Sequence, residues 1–140
     1  MSSPLTGKYE ALGVIAPFDT LDKVLPLLNE FYSRGHRHVD TARIYGYGTT
    51  EELLAATKAK HPSLIVSTKI FLTRTTLLDP RYEPYNLNEH DLNLGLERSL
   101  AALKSEKVET YFLYDPNRNV PLEETLATLD KLYKEGRFTR

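Results

Sequence analysis

Along the chain, short apolar runs alternate with longer stretches in which apolar residues recur at helical spacing. Ala11-Leu12-Gly13-Val14-Ile15 reads as a first, buried strand. Asp19 or Thr20 can cap a helix through Ser33, with Leu21, Val24, Leu25, Leu28 and Phe31 on one face. Pro26 removes a backbone donor inside that helix, which predicts a kink or a late start, and Gly35 is a natural stop. His38-Val39-Asp40 reads as a second strand. Thr49-Thr50-Glu51-Glu52 matches a capping box, in which the Thr49 hydroxyl and the Glu52 carboxylate each satisfy an orphan backbone donor. It opens a helix running to about Lys58. The branched run from Leu64 to Ile70 predicts a third strand, and a long loop with Asp79-Pro80-Arg81-Tyr82-Glu83-Pro84-Tyr85 follows it. Asn88 can cap a third helix striped by Leu92, Leu96, Leu100 and Leu103. Tyr111-Phe112-Leu113-Tyr114 is a fourth strand, and Pro121 suits the first turn of a fourth helix that ends at Gly136.

Four consecutive βα units predict an α/β fold with a parallel sheet and right-handed crossovers. At 140 residues the chain has the size of one domain, expected to span residues 1–140. Hydrophobic residues make up 41% and charged residues 26%, the balance of a globular protein rather than a disordered one. Eighteen basic against nineteen acidic residues, with no block of like charge, argue against a general affinity for nucleic acid or an anionic membrane. Without cysteine there is no disulfide, thiolate metal site or thiol nucleophile. No apolar window approaches the roughly twenty residues that span a bilayer, so the expected location is the cytoplasm.

The densest chemistry follows the second strand, in Asp40-Thr41-Ala42-Arg43-Ile44-Tyr45-Gly46-Tyr47-Gly48-Thr49-Thr50-Glu51. Asp40 falls at the C-terminal end of its strand, where parallel α/β proteins build their sites, and Lys69 and Tyr114 fall at the equivalent ends of the next two strands. Adjacent strands about 4.8 Å apart bring such side chains together. A buried carboxylate beside a lysine keeps the lysine charged, and a charged lysine beside a phenol favours loss of the phenol's proton. Tyr45 then becomes a proton donor to a developing alkoxide. The competing reading is an Asp-Lys pair that only closes the end of the sheet, with Tyr45 packed in a loop.

Gly35-His36, Val39-Asp40-Thr41-Ala42, Tyr45, Gly48 and Glu51 together resemble the signature of the aldo-keto reductases. Ser67-Thr68-Lys69 resembles that family's lysine-bearing third strand. Ser99-Leu100 through Leu113, with Pro116, Pro121, Glu123-Glu124-Thr125-Leu126 and Gly136-Arg137-Phe138, is similar to the branch that reduces aflatoxin aldehyde. The resemblance covers nearly the whole chain. It implies four of the eight units of a (β/α)8 TIM barrel, and hydride transfer from NADPH to an aldehyde or ketone. It also implies a tetrad of Asp, Tyr, Lys and His. Three positions match: Asp40, also implied to touch the cofactor, Tyr45 as proton donor, and Lys69 as the group that tunes it.

Two departures stand out. Where the family has histidine, this chain has Tyr114, in Leu113-Tyr114-Asp115-Pro116. A phenol donates one hydrogen bond but carries no positive charge. Either altered chemistry or a decayed site follows from that. A full barrel takes about 250 residues, so the chain is expected to be a truncated half-barrel. Most of the family's NADPH contacts lie in the other half, and Gly46-Tyr47-Gly48 lacks the third glycine of a dinucleotide loop. A half-barrel leaves an apolar inner face and two open edges, which predicts a homodimer or a complementary half-barrel chain as partner.

His36 and His38 alternate on one strand face, but with no third ligand in useful spacing they read as surface or barrel-bottom residues. His61 and His90 sit near helix boundaries and are expected to touch solvent. The loop from Tyr82 to Tyr85 reads as packing on the rim or as a cap over a hydrophobic substrate. Three functions fit: an NADPH-dependent carbonyl reductase, a cofactor-independent isomerase, dehydratase or cyclase on the same scaffold, and a non-catalytic partner subunit.

Overall fold

A computed structural model describes residue 18 and residues 20–72 and 85–140, the side chain of Tyr47 excepted. The elements run α1 (Leu21–Ser33), β1 (His38–Asp40), a 3-10 turn (Tyr45–Gly48), α2 (Thr49–Thr57), β2 (Ile65–Ile70), α3 (Glu89–Leu103), β3 (Tyr111–Leu113) and α4 (Leu122–Lys134). The predicted strand Ala11–Ile15, Asp19 and loop residues 79–84 lie outside the described residues.

The three strands are parallel in the order β1-β2-β3, with Asp40 beside Ser67 and Lys69 beside Phe112. Period-two alternation separates two faces. Val39, Val66, Ile70, Tyr111 and Leu113 face the helices and join Leu54, Leu92, Leu96, Leu100 and Leu132 in one core. Asp40, Ser67, Lys69 and Phe112 line the opposite face, which no helix covers among the described residues. The predicted leucine stripe of α3 is buried in full. Gly95 lets this helix approach the sheet, since a Cβ there would lie 2.9 Å from Ile70 Cδ1. Burial pushes the Tyr111 phenol far up from its ordinary value, so it stays neutral and donates to the Leu92 carbonyl at 3.2 Å.

Beyond α4, the last residues run beside β3. Val108 N donates to Arg137 O at 3.1 Å and Tyr111 N to Arg140 O at 3.0 Å, around a parallel bridge between Val108 and Phe138. The edge of β3 is therefore partly paired already, where an open edge is the expectation.

Three local expectations need correction. The capping box does not form: Gly48, at φ +85°, is the N-cap of α2, and the Thr49 hydroxyl donates back to Gly46 O at 2.7 Å. The Glu52 carboxylate is drawn instead to Arg43, 3.3 Å away. Nor is His61 at the surface. It is buried against the Tyr32 ring, with centroids 4.7 Å apart, because Tyr32 also pairs with the Ser63 hydroxyl and closes over it. Pro121 sits at the N-cap of α4 rather than in its first turn. α1 starts on time at Leu21, with Pro26 exposed inside it. Asn88 caps α3 as expected, accepting from Asp91 N at 2.8 Å.

Candidate active site

Each candidate side chain is placed by the end of a strand or by the turn that follows one. Asp40 closes β1, and the next residue is tied to β2 by Thr41 N donating to Ser67 O at 2.9 Å. Lys69 is one residue from the end of β2 and Tyr114 immediately follows β3. Tyr45 opens the 3-10 turn, its amide donating to Ala42 O at 3.0 Å. Asp40, Tyr45, Ser67, Lys69, Phe112 and Tyr114 line one open cleft of about 560 Å³.

The Lys69 ammonium donates to Asp40 Oδ2 at 2.5 Å and to Thr41 O at 3.0 Å. It also lies 5.2 Å from the centre of the Tyr45 ring and 5.6 Å from that of Phe112. Its side chain is only 11% exposed, so this charge acts in a partly desolvated setting where its field is stronger than in water. Contrary to the expectation from sequence, the carboxylate is not the buried member of the pair: Asp40 is 58% exposed and leaves carboxylate surface open to the cleft. The ammonium meets Tyr45 through the ring face, a cation-π arrangement, and its described hydrogen bonds go to Asp40 and Thr41. Tyr114 packs edge-on against Phe71 at 5.0 Å, and its backbone N–H donates to Ile70 O at 3.1 Å. The ring stays half-exposed and also borders a second cleft, lined by residues 115–118, Leu87 and Leu122.

Asp40, Tyr45, Lys69 and Tyr114, each predicted from sequence, thus share one cleft. Phe112 was not foreseen, although its place beside Lys69 follows once the strand register is known. Also unforeseen is the support beneath the site, where Arg43 and Thr68 converge on Glu51. His36 and His90 are exposed, and His38 lines the lower end of the cleft. Among the described residues no group of three His, Cys, Asp or Glu side chains is placed to hold a metal ion. Tyr85, at the end of the aromatic loop, is buried and accepts from Arg98 Nη1 at 2.7 Å, which makes it packing rather than a cap.

The cleft suits the reacting end of a nicotinamide cofactor and a carbonyl group: a flat aromatic wall, an ammonium, a phenol and an open carboxylate. It does not suit the phosphates, since among the described residues its lining contains no arginine and one lysine, already paired with Asp40.

A family model described as the aldo/keto reductase family matches residues 15–139. The aldo-keto reductase pigE of Monascus ruber is 42% identical over 125 residues, covering 89% of this chain and 36% of that protein. The human aflatoxin B1 aldehyde reductase member 4 is 30% identical over 108 residues, covering 77% of this chain and 31% of that protein. Among solved structures, a thermostable aldo-keto reductase in complex with the inhibitor epalrestat superposes with a TM-score of 0.69 at 29% identity. That match covers 84% of this chain and 39% of the other. The chain therefore spans well under half the length of these relatives, and its strands and helices form part of a (β/α)8 barrel.

Proposed function

The chain belongs to the aldo/keto reductase family, and from that premise we propose that it carries the reacting end of an NADPH-dependent reductase of aldehydes or ketones. The family's enzymes are oxidoreductases of small carbonyl compounds. The observation that carries the reading to this chain is Lys69, held at 2.5 Å by Asp40 and 5.2 Å from the ring of Tyr45, in a cleft open to a small molecule.

NADPH, when bound, supplies the hydride that forms the new C–H bond at the carbonyl carbon. Tyr45 supplies the proton that forms the O–H bond, so the oxygen never has to leave as a free alkoxide. The phenolate left behind is balanced by the Lys69 charge until solvent returns its proton. Asp40 holds that ammonium at the Tyr45 face rather than in water, and its exposed edge would touch the cofactor. Tyr114 takes the place of the family's histidine as a neutral hydrogen-bond donor that orients the carbonyl oxygen without adding charge.

The uncovered face around Phe112 and Tyr114, respectively 46% and 44% exposed, is closed by further barrel units, from a second copy of this chain or from a complementary half-barrel. A cytoplasmic setting belongs to the same reading. Among the described residues no helix is long and apolar enough to cross a membrane.

Calorimetric titration of NADPH into the nucleotide-free chain in its closed assembly, followed by turnover with an aromatic aldehyde, tests the reading. Micromolar binding with aldehyde-dependent NADPH consumption is expected. Turnover of a substrate without any nucleotide would replace the reading with cofactor-free acid-base chemistry.

A further inference from the structure

Glu51 lies in the first turn of α2 and is wholly buried. Its two carboxylate oxygens have different partners. Oε2 accepts from Arg43 Nη1 at 3.0 Å, and Oε1 accepts from the Thr68 hydroxyl at 2.7 Å. Arg43 stands two residues before Tyr45, and its guanidinium lies against the backbone of Gly48, where a Cβ would come within 2.5 Å of Nη2. The guanidinium thus braces both ends of the turn that carries Tyr45. Thr68 is also wholly buried, and it adjoins Lys69 while facing the opposite side of β2. One carboxylate therefore grips the Tyr45 turn with one oxygen and the Lys69 strand with the other.

Burying a carboxylate is costly unless every lone pair finds a donor, and a well-packed apolar side chain would hold a core at least as well. What the carboxylate adds is direction, because its two oxygens fix two separate segments at hydrogen-bond distance. We propose that Glu51 is a positioning residue that sets the placement of Tyr45 relative to Lys69. The inference rests on reading that pair as the reacting centre. Its geometric part stands on the contacts of Glu51 alone.

Thr68→Val removes one donor while keeping the side-chain shape, and Thr68→Ser restores it. The readouts are the nuclear Overhauser contact between the Lys69 side chain and the Tyr45 ring, and kcat and KM for an aromatic aldehyde with NADPH. In Thr68→Val the contact is lost and kcat falls about tenfold to a hundredfold, the scale of a 1 Å misplacement, while KM holds. Thr68→Ser restores both. Glu51→Gln, which keeps the shape but cannot accept from both partners as a carboxylate does, is the second variant and shows the same loss. An intact contact in both variants overturns the proposal whatever the rate does, and so does an unchanged kcat in an active protein. If the unaltered chain reduces nothing, the reductase reading fails on that result. Loss of the contact in the variants then still supports the role of Glu51 in positioning, and its persistence removes that role too.

Discussion

The Lys69 ammonium sits 5.2 Å from the centre of the Tyr45 ring while the Asp40 carboxylate holds it at 2.5 Å. A positive charge is thereby fixed against a phenol that the loop after β1 brings into the cleft. Lys69→Met keeps the apolar stem and removes the charge. Carbonyl reduction is expected to fall about a hundredfold or more, the scale of a lost acid-base partner. Stability should change by no more than about 1 kcal/mol, because Asp40 is largely solvated. Steady-state rates and a urea unfolding curve measure the two effects separately. Loss of fold alongside activity would make the pair structural.

The α3 stripe fastens the helices to the outer face of the sheet, and Leu96 is completely inaccessible there. Leu96→Ala should cost about 2–5 kcal/mol from lost burial and the cavity left behind. Urea midpoints for the two chains check this. A cost near zero would mean that the core described here is not the core in solution.

The Glu109 carboxyl is held below the ordinary glutamate range, first by its hydrogen bond from Arg140, which outweighs the opposing effect of burial, with smaller help from the Arg140 and His38 charges and from Thr139. A lowered folded value means that the pair stabilises the fold fully above the ordinary glutamate value of about 4.3. That contribution fades as the pH falls below this value through the folded one. Glu109→Gln should therefore lower Tm at pH 7 and have little effect under strongly acidic conditions, with the difference shrinking in high salt. A difference that persists in acid would place the effect in packing instead. Because the pair fastens the last residues beside β3, the same variant should raise hydrogen exchange at Tyr111 N.

The uncovered face carries aromatic surface that a solitary half-barrel exposes to water. Light scattering of the purified chain should show a dimer at micromolar concentration, or a monomer that becomes a defined complex with a complementary half-barrel. A stable monomer that accepts neither partner would contradict the proposed closure.

Much of this arrangement was legible because it is periodic. The leucines of α3, the cap at Asn88, and the strand ends at Asp40 and Lys69 all follow from spacing and local chemistry, whereas Thr20 takes the N-cap position of α1 without a capping hydrogen bond from its side chain. Features set by contacts distant in sequence were not. Thr49 and Glu52 have the spacing of a capping box, yet the left-handed turn at Gly48 moves the helix start and Arg43 claims the glutamate. His61 stands in a polar stretch, and its burial includes contact with the Tyr32 ring, which arrives from α1. Likewise, the link from Glu51 to Thr68 joins residues 17 positions apart and depends on how α2 packs behind β2. No local pattern encodes it.

The most direct test compares NADPH-dependent reduction of an aromatic aldehyde by the chain and by Tyr45→Phe, each in its assembled state. Tyr45 is more than one-third exposed, and removing its hydroxyl leaves the ring beneath Lys69 unchanged. The account predicts measurable turnover that falls about a hundredfold to ten-thousandfold in the variant, with Tm preserved. Equal rates in the two proteins would contradict it.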